Sequence, residues 1–499
     1  MLKIRFEDLY AHLDSGDDFI VELGEQQGIG SSSLFIHKHG RNILVDRGLA
    51  FEGSGADKRT NFPVGKNLED IHLDVIILTH VHADHAGLIV PIVLAHPEAH
   101  VVFSAKTLEE LKIVLADSLS IQKKEARKAS ILGLPTPKAM FSQEDVQLFL
   151  LRAESDFYEI VDTDNEDVCV SWEDLPGWDF GFTFSGHTHG AFISFIKSPD
   201  NVGFVVTGDI CAHDQETTRG VLKVKESFLK MMNFRECKKI ILITEATNGN
   251  RDRKETQDEM DNRLKAVLDE TLLLGGNALF PVFMINRGPN MVIKLVRLGY
   301  KVFVAGGVRK TLKAEIGSKL FDKWTADKTV MLIQDGVNYE HQVKSASHGE
   351  YGFRPIVTSS ATLDQGAGID FAIEMLPNPK NVLISTGHRF DGSKMQEFFA
   401  VKDNPVELGR TIVLNKTDNR FREIKKPVHI RCDGHHFDYS AHSYRKDLVA
   451  FVASLNPEIV FVKHCTNEGF HGLETALRDS FGDKCPSINR ASHLCLFKL

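Results

Sequence analysis

The stretch THVHADHAG, Thr79 to Gly87, sets three histidines and an aspartate within six consecutive positions, His80 to His85. It follows LDVIILT, a continuous apolar run that reads as a buried strand. In α/β sheets ligands gather beyond the carboxyl ends of strands, and this cluster stands at one. Neutral imidazole and carboxylate are ordinary metal donors. With 22 histidines in 499 residues, three within six positions is a rare accident, so the stretch reads as a metal site. Four side chains on one turn cannot all reach a single tetrahedral ion. The adjacent pair Asp84 and His85 is better placed for a second. A two-metal site needs more donors, among them a carboxylate between the ions. Three candidates end other apolar runs: His187 in SGHTHG, Asp209 in VVTGDI and His464 in IVFVKHC. Alone, each reads as a cap or a satisfied core group. Together with the cluster they form a set.

Composition bounds the rest. The chain is 42% hydrophobic and 25% charged, and its length suggests two or three domains. No apolar run approaches the roughly 20 residues that cross a bilayer. The N-terminal stretch carries acids and lacks an apolar core, unlike a secretory signal. Seven cysteines, an odd number without a CxxC pair, fit no disulfide framework. The expectation is a soluble protein of a reducing compartment, the cytoplasm. A net charge of −9 disfavours nucleic-acid binding through the whole-body field but leaves room for a local basic track. The densest basic run, Lys123 to Lys128, reads as a solvated helix face.

Along the chain, SSLFIHKHG and RNILVDRG read as a hairpin turned at Gly40. SAKTLEELKIVLADSLSIQKKEARKA has helical spacing and a Ser/Thr start. FTFSG, AFISFIK, GFVVTGD and KKIILITEA follow as strands. After Glu245 the rhythm changes to strand-like runs separated in places by helical patterns, which implies βαβ units and a parallel sheet. From about Pro427 the chain reads as returning to the first domain through KPVHIRCDG, a helix and EIVFVKHC. The expected organisation is a first domain over 1–248, an inserted α/β domain over 249–426 and a return segment over 427–499.

The ordered pattern HxHxDH, GHT, TGD and a late strand-end histidine resembles the metallo-β-lactamase fold, an αββα sandwich. That resemblance implies that His80, His82 and His187 hold one zinc, that Asp84, His85 and His464 hold the other, and that Asp209 bridges. Asp46, in ILVDRG, matches the family's buried supporting aspartate, and it reads equally as a turn residue before Gly48. His189 has no counterpart as a ligand. The insertion resembles the β-CASP branch, the nucleases of RNA processing and DNA repair. Its marks here are Glu245 in ILITEATNG, His442 in DYSAHS and His464, with LFPVFMINRG and ISTGHRFDG similar to the inserted domain's first and last strands. A carboxylate beside His442 raises its pKa and orients it, which suits a general acid that protonates the departing ribose oxygen. Bound zinc, or manganese, would activate water as the nucleophile. Glu245, His442 and Asp84 are the candidate catalytic residues.

RNA-cutting members of the branch carry His at the late position and DNA-repair members tend to carry Val, so His464 tilts the reading toward single-stranded RNA over DNA. Endonuclease and exonuclease modes stay open. The competing readings are a DNA nuclease, a hydrolase of small esters or thioesters, and an inactive RNA-binding module. The continuations Ala246-Thr247-Asn248-Gly249 and Cys465-Thr466-Asn467-Glu468 depart from the family's usual ones. Arg287, Arg309 and Lys310 are candidate backbone contacts that read more readily as surface charges. The GHRFDGS loop reads as a turn whose Ser393 could also meet phosphate. No membrane partner is expected, and homodimerisation is an expectation carried by the family alone.

Overall fold

The computed structural model describes residues 2–24, 30–52, 59–61, 66–155, 157–405, 409–417 and 422–499. Two sheets pack face to face. The first orders strands Leu2–Lys3, Cys495–Lys498, Phe19–Glu22, Leu34–Lys38, Arg41–Val45, Val75–Ile77, His100–Ser104 and Glu159–Val161 side by side. The second orders Val168–Val170, Asp179–Phe184, Phe192–Lys197, Val202–Val206, Lys239–Glu245, Ile459–Lys463 and Ser487–Arg490. Their facing side chains make one apolar layer, in which Ile36, Ile43, Val75 and Ile77 meet Phe180, Phe182, Phe192, Phe204 and Ile243. Alternate residues turn outward. Phe195, Val205 and Leu242 pack beneath helices Arg445–Leu455 and Asn467–Phe481. Helices Ile89–Ala95, Ala105–Leu132 and Gln143–Glu154 cover the other sheet. Strands buried on both faces are largely apolar, which is why GFVV shows no polar alternation and FISFI carries a single polar residue, Ser194. Each fully buried phenylalanine contributes roughly 1.5–3 kcal/mol.

The αββα sandwich expected from the sequence is therefore present. The Leu34–Lys38 and Arg41–Val45 hairpin turns at His39 and Gly40, both at positive φ. The helix beginning after Ser104 runs to Leu132, with the Ser104 hydroxyl capping the Thr107 amide. Its basic run, Lys123 to Lys128, is mostly exposed or half-buried, as a solvated face should be. Among the described residues no helix is long and apolar enough to cross a membrane.

The inserted sheet orders Val330–Leu332, Val302–Ala305, Ile356–Thr358, Ala278–Pro281, Val382–Ser385 and Asp433–His436, every pair parallel. It lies between two apolar layers. Here the structure departs from the sequence reading. The run KPVHIRCDG does not rejoin the sandwich. Glu423–His429 forms an antiparallel ribbon with Thr411–Thr417, and Asp433–His436 extends the inserted sheet. Val428, Ile430 and Cys432, every second residue, point into the inserted core and hold the run there. By hydrogen bonding the inserted unit thus reaches His436, beyond residue 426.

Candidate metal centre and active site

Strands from both sheets deliver their carboxyl ends to one rim. Asp46 follows Arg41–Val45, Thr79 and His80 follow Val75–Ile77, and His187 follows Asp179–Phe184. Asp209 follows Val202–Val206, Glu245 ends Lys239–Glu245, and His464 follows Ile459–Lys463. The short helix Ala83–Ala86 carries Asp84 and His85. Gly48 lets that helix dock, because a Cβ there would overlap the Asp84 carbonyl. Gly208, at φ 56, passes against Thr79 so closely that a Cβ would lie 2.8 Å from its side chain, and this brings Asp209 into the centre. Asp46 and His464 take left-handed backbone at φ 64 and 49, a conformation that costs roughly 1–2 kcal/mol for a residue with a Cβ.

Fixed hydrogen bonds decide which ring nitrogens are bare. Asp46 is fully buried and accepts from the Thr79 amide at 2.8 Å, from the Thr79 hydroxyl, and from His85 Nδ1 at 2.7 Å. The Thr79 hydroxyl, its proton spent on Asp46, accepts from His80 Nδ1 at 3.1 Å. His187 Nδ1 donates to the Ala441 carbonyl at 2.9 Å. With Nδ1 engaged, Nε2 is the nitrogen that His80, His85 and His187 turn to the centre, the one a metal would take.

The donors converge in two poles. At the first, His82 Nδ1 lies 3.2 Å from His80 Nε2 and 3.1 Å from His187 Nε2, and Asp209 Oδ2 lies 3.7 and 3.5 Å from those two nitrogens. Tetrahedral zinc with Zn–N near 2.1 Å sets its donors about 3.4 Å apart, the spacing bracketed here. At the second, His464 Nε2 lies 3.0 Å from Asp84 Oδ2, and Asp209 Oδ1 lies 3.4 Å from both His85 Nε2 and His464 Nδ1. The two oxygens of Asp209 thus face different poles, as a bridging carboxylate must. His85 Nε2 and Asp209 Oδ1 are buried and find no hydrogen-bond partner among the described residues. A cation satisfies both, and an imidazole–carboxylate set suits zinc or manganese.

Electrostatics agrees. Burial holds His80 and His187 well below the usual imidazole range and His82 near 4, so all three are neutral, the state a metal donor needs. Burial also opposes charge on His85, but Asp209 and Asp46 outweigh it and raise its pKa far up. Those carboxylates hold a proton where they can hold a metal. Burial disfavours an ionised Asp209, yet His464 and His85 keep it well below the carboxylate range.

Beside the poles, Glu245 is fully buried and accepts from His442 Nδ1 at 2.8 Å, from the Ile210 amide at 3.1 Å and from the Thr247 amide at 2.9 Å. Burial would lower the His442 pKa, but Glu245 raises it to about 9. The His442 ring packs 4.6 Å from that of His187, and its side chain stays 21% exposed.

The seven donor candidates and the Glu245–His442 pair therefore meet at one place. His189 does not join them: its ring spans Glu315 of the insert at 3.0 Å and Asp164 at 3.4 Å. Arg309 is paired with Asp335 and Lys310 with Asp117, while Arg287 lines a cleft. The Ser393 hydroxyl caps the Gln396 amide, so GHRFDGS is the turn into helix Lys394–Asp403. Three supports escaped the sequence. Thr79 fixes Asp46 and His80. Gln215 Nε2 donates to the Gly186 and His187 carbonyls, both at 2.7 Å, and Asn286 of the insert donates to the His187 carbonyl at 2.8 Å. Loop amides carry no periodic signal, so only the adjacency of Thr79 to His80 could have flagged one of them.

Residues 27–210 match the family described as the metallo-beta-lactamase superfamily, and residues 427–485 match the Zn-dependent metallo-hydrolase RNA specificity domain. Among curated proteins the chain is 22% identical to Probable RNase MJ4 of Methanocaldococcus jannaschii, over 89% of this chain and 92% of that one. It is 20% identical to cleavage and polyadenylation specificity factor 73 of Drosophila melanogaster, over 93% and 62%, and 22% identical to transcription termination factor FttA of Methanosarcina mazei, over 93% and 70%. The crystal structure of a protein of unknown function from Enterococcus faecalis V583 shares the fold, with a TM-score of 0.52 at 12% identity over 97% of this chain and 100% of that one.

Proposed function

Because this chain belongs to the metallo-β-lactamase superfamily, in its RNA-processing β-CASP branch, we propose that it is a two-zinc phosphodiesterase that cleaves single-stranded RNA with His442 as general acid. The observation that carries the reading is the His442–Glu245 pair set beside two donor poles that share Asp209. His80, His82 and His187 with Asp209 would hold one ion, and Asp84, His85 and His464 with Asp209 the other. Bound there, the ions would supply Lewis acidity, withdrawing charge from a phosphate oxygen and acidifying water. The remaining work belongs to the chain. Glu245 occupies Nδ1 of His442 and leaves Nε2 to deliver a proton to the leaving oxygen. Its carboxylate keeps that proton on the ring at neutral pH, and bound cations would draw the elevated pKa back toward the working range. General acid catalysis of this kind is worth about 10²–10⁴-fold. The RNA-specificity match over 427–485 favours RNA.

The test is a side-by-side digestion of 5′-labelled single-stranded RNA and the matching DNA by zinc-loaded protein, together with His442→Ala. Faster cleavage of RNA, lost in His442→Ala at unchanged metal content, is the expected result. A preference for DNA overturns the substrate, and loss of metal in His442→Ala overturns the role of His442.

A further inference from the structure

Residues 246–249 leave the family's usual pattern just after Glu245, and the structure packs them between two partners. On one side they press on helix Asn467–Phe481. A Cβ at Gly249 would lie 2.3 Å from the Gly469 carbonyl oxygen, and one at Gly469 would lie 2.5 Å from that of Ala246. On the other side they meet the loop that carries His442, and Asn248 makes the contact. It is 3% exposed, and its side-chain amide is fully used. Oδ1 accepts from Arg251 Nε at 3.0 Å and from Nη2 at 2.7 Å. A guanidinium only donates, so the NH2 of Asn248 must face the other way. There it donates to Ser440 Oγ at 3.0 Å and to the His442 carbonyl at 3.2 Å, and the same Oγ accepts from the His442 amide at 3.2 Å. Further ties close the junction. Asn248 and Tyr444 form a backbone bridge, the Arg445 amide donates to the Arg251 carbonyl at 3.1 Å, and Arg251 pairs with Asp438 at 2.9 Å.

His442 is therefore held at both ends from one short segment. Glu245 takes ring Nδ1 at 2.8 Å. Three residues later Asn248 takes the main chain, the carbonyl directly and the amide through Ser440. A general acid must sit within hydrogen-bond reach of the oxygen it protonates, and a misplacement of about 1 Å costs on the order of 10²-fold. We propose that Asn248 is a positioning residue for His442, its amide fixing the backbone from which the ring reaches the leaving oxygen. The inference rests on the reading of His442 as the general acid. Without the NH2 of Asn248 the loop loses both anchors, and the ring is free to pivot about its bond to Glu245. Asn248 makes no hydrogen bond to a metal donor among the described residues. Its neighbour Thr247 is the one that meets His464 Nδ1, at 3.1 Å. Different residues of one turn thus serve the acid and the metal pole, so mutation can separate them.

Two full-length variants test this. Asn248→Ala removes the amide. Asn248→Asp keeps an oxygen for Arg251 and loses only the donor, so it carries the test if the alanine variant fails to fold. Each is compared with wild type and His442→Ala by hydrogen–deuterium exchange over residues 438–444, by zinc content and by cleavage of two substrates. One is single-stranded RNA, whose ribose oxygen needs a proton to leave. The other is bis(p-nitrophenyl) phosphate, whose phenolate leaves without one. Expected are faster exchange over 438–444 at unchanged zinc, and a kcat that falls on the order of 10²-fold further on RNA than on the activated ester, with KM held. Unchanged exchange in both variants, loss of zinc, or an equal fall on the two substrates overturns the proposal. Wild type that cuts no RNA overturns the functional reading instead, and exchange alone then decides whether Asn248 holds the loop.

Discussion

Asp46→Asn separates the two metal poles with a single nitrogen. Asparagine has the same shape and tolerates the left-handed backbone at φ 64, so the fold should survive. The hydrogen bonds do not. Oδ1 of Asp46 accepts from the Thr79 amide at 2.8 Å, and Oδ2 accepts from His85 Nδ1 at 2.7 Å. An amide offers only one oxygen. If it keeps the Thr79 bond, its NH2 faces His85 Nδ1, and the ring must shift its proton to Nε2, the nitrogen that would ligate. If it flips, NH2 faces the Thr79 N–H and a buried donor goes unpaired, at about 1–3 kcal/mol. Loss of such a supporting carboxylate weakens metal binding about 10–100-fold, or about 1.4–2.7 kcal/mol. In the orientation that keeps its oxygen on the Thr79 amide and hydroxyl, the hydroxyl still accepts from His80 Nδ1 and His187 is still oriented by the Ala441 carbonyl, so the loss should fall on the Asp84, His85 and His464 pole. Equilibrium dialysis against buffered zinc with elemental analysis should show two ions per chain in wild type and close to one in the variant at the same free zinc. Two ions retained at unchanged affinity would refute the reasoning from tautomer to ligand.

Glu245→Gln removes the main group that opposes burial at His442 and leaves only Asp209 and Asp84 to do so, so the basic limb of the pH–rate profile should move to lower pH; a limb that stays put would remove Glu245 from the acid. Chelation of the metal should lower the melting temperature and zinc restore it, by about 4 kcal/mol of stability at a thousandfold excess over Kd; no change on chelation would mean that the orphaned His85 Nε2 and Asp209 Oδ1 are satisfied some other way. Glu110 is buried at the contact between helix Ala105–Leu132 and Glu315 of the insert, and burial first, then Glu315, raises its pKa far above the carboxylate range. The folded chain therefore keeps a proton that the unfolded chain loses above about 4.5, so this group costs stability as pH rises from that value toward its folded pKa. Glu110→Gln should raise the melting temperature over wild type more at pH 8 than at pH 5; an equal difference at both would refute the carboxyl pair.

HVHADH is local. Its donors sit within one turn, the preceding apolar run places them at a strand end, and nothing distant is needed to read a metal site. The same holds for the αββα layers, since strands buried on both faces announce themselves as apolar runs such as VIIL and GFVV. His187, Asp209 and His464 could be listed in order because each ends such a run. What the sequence could not decide was pairing. Asp46 read equally as a turn residue until folding set it on Thr79 and His85. KPVHIRCDG read as part of the sandwich until Val428, Ile430 and Cys432 found the inserted core. Arg287, Arg309 and Lys310 looked alike as letters, yet two are neutralised by aspartates and one finds no ion pair among the described residues. Donor type and strand rhythm are properties of neighbouring residues. Whether a charge is paired, or which ring nitrogen is bare, depends on groups that only chain closure brings within 3 Å, as it does for Glu245 and His442 across 197 residues.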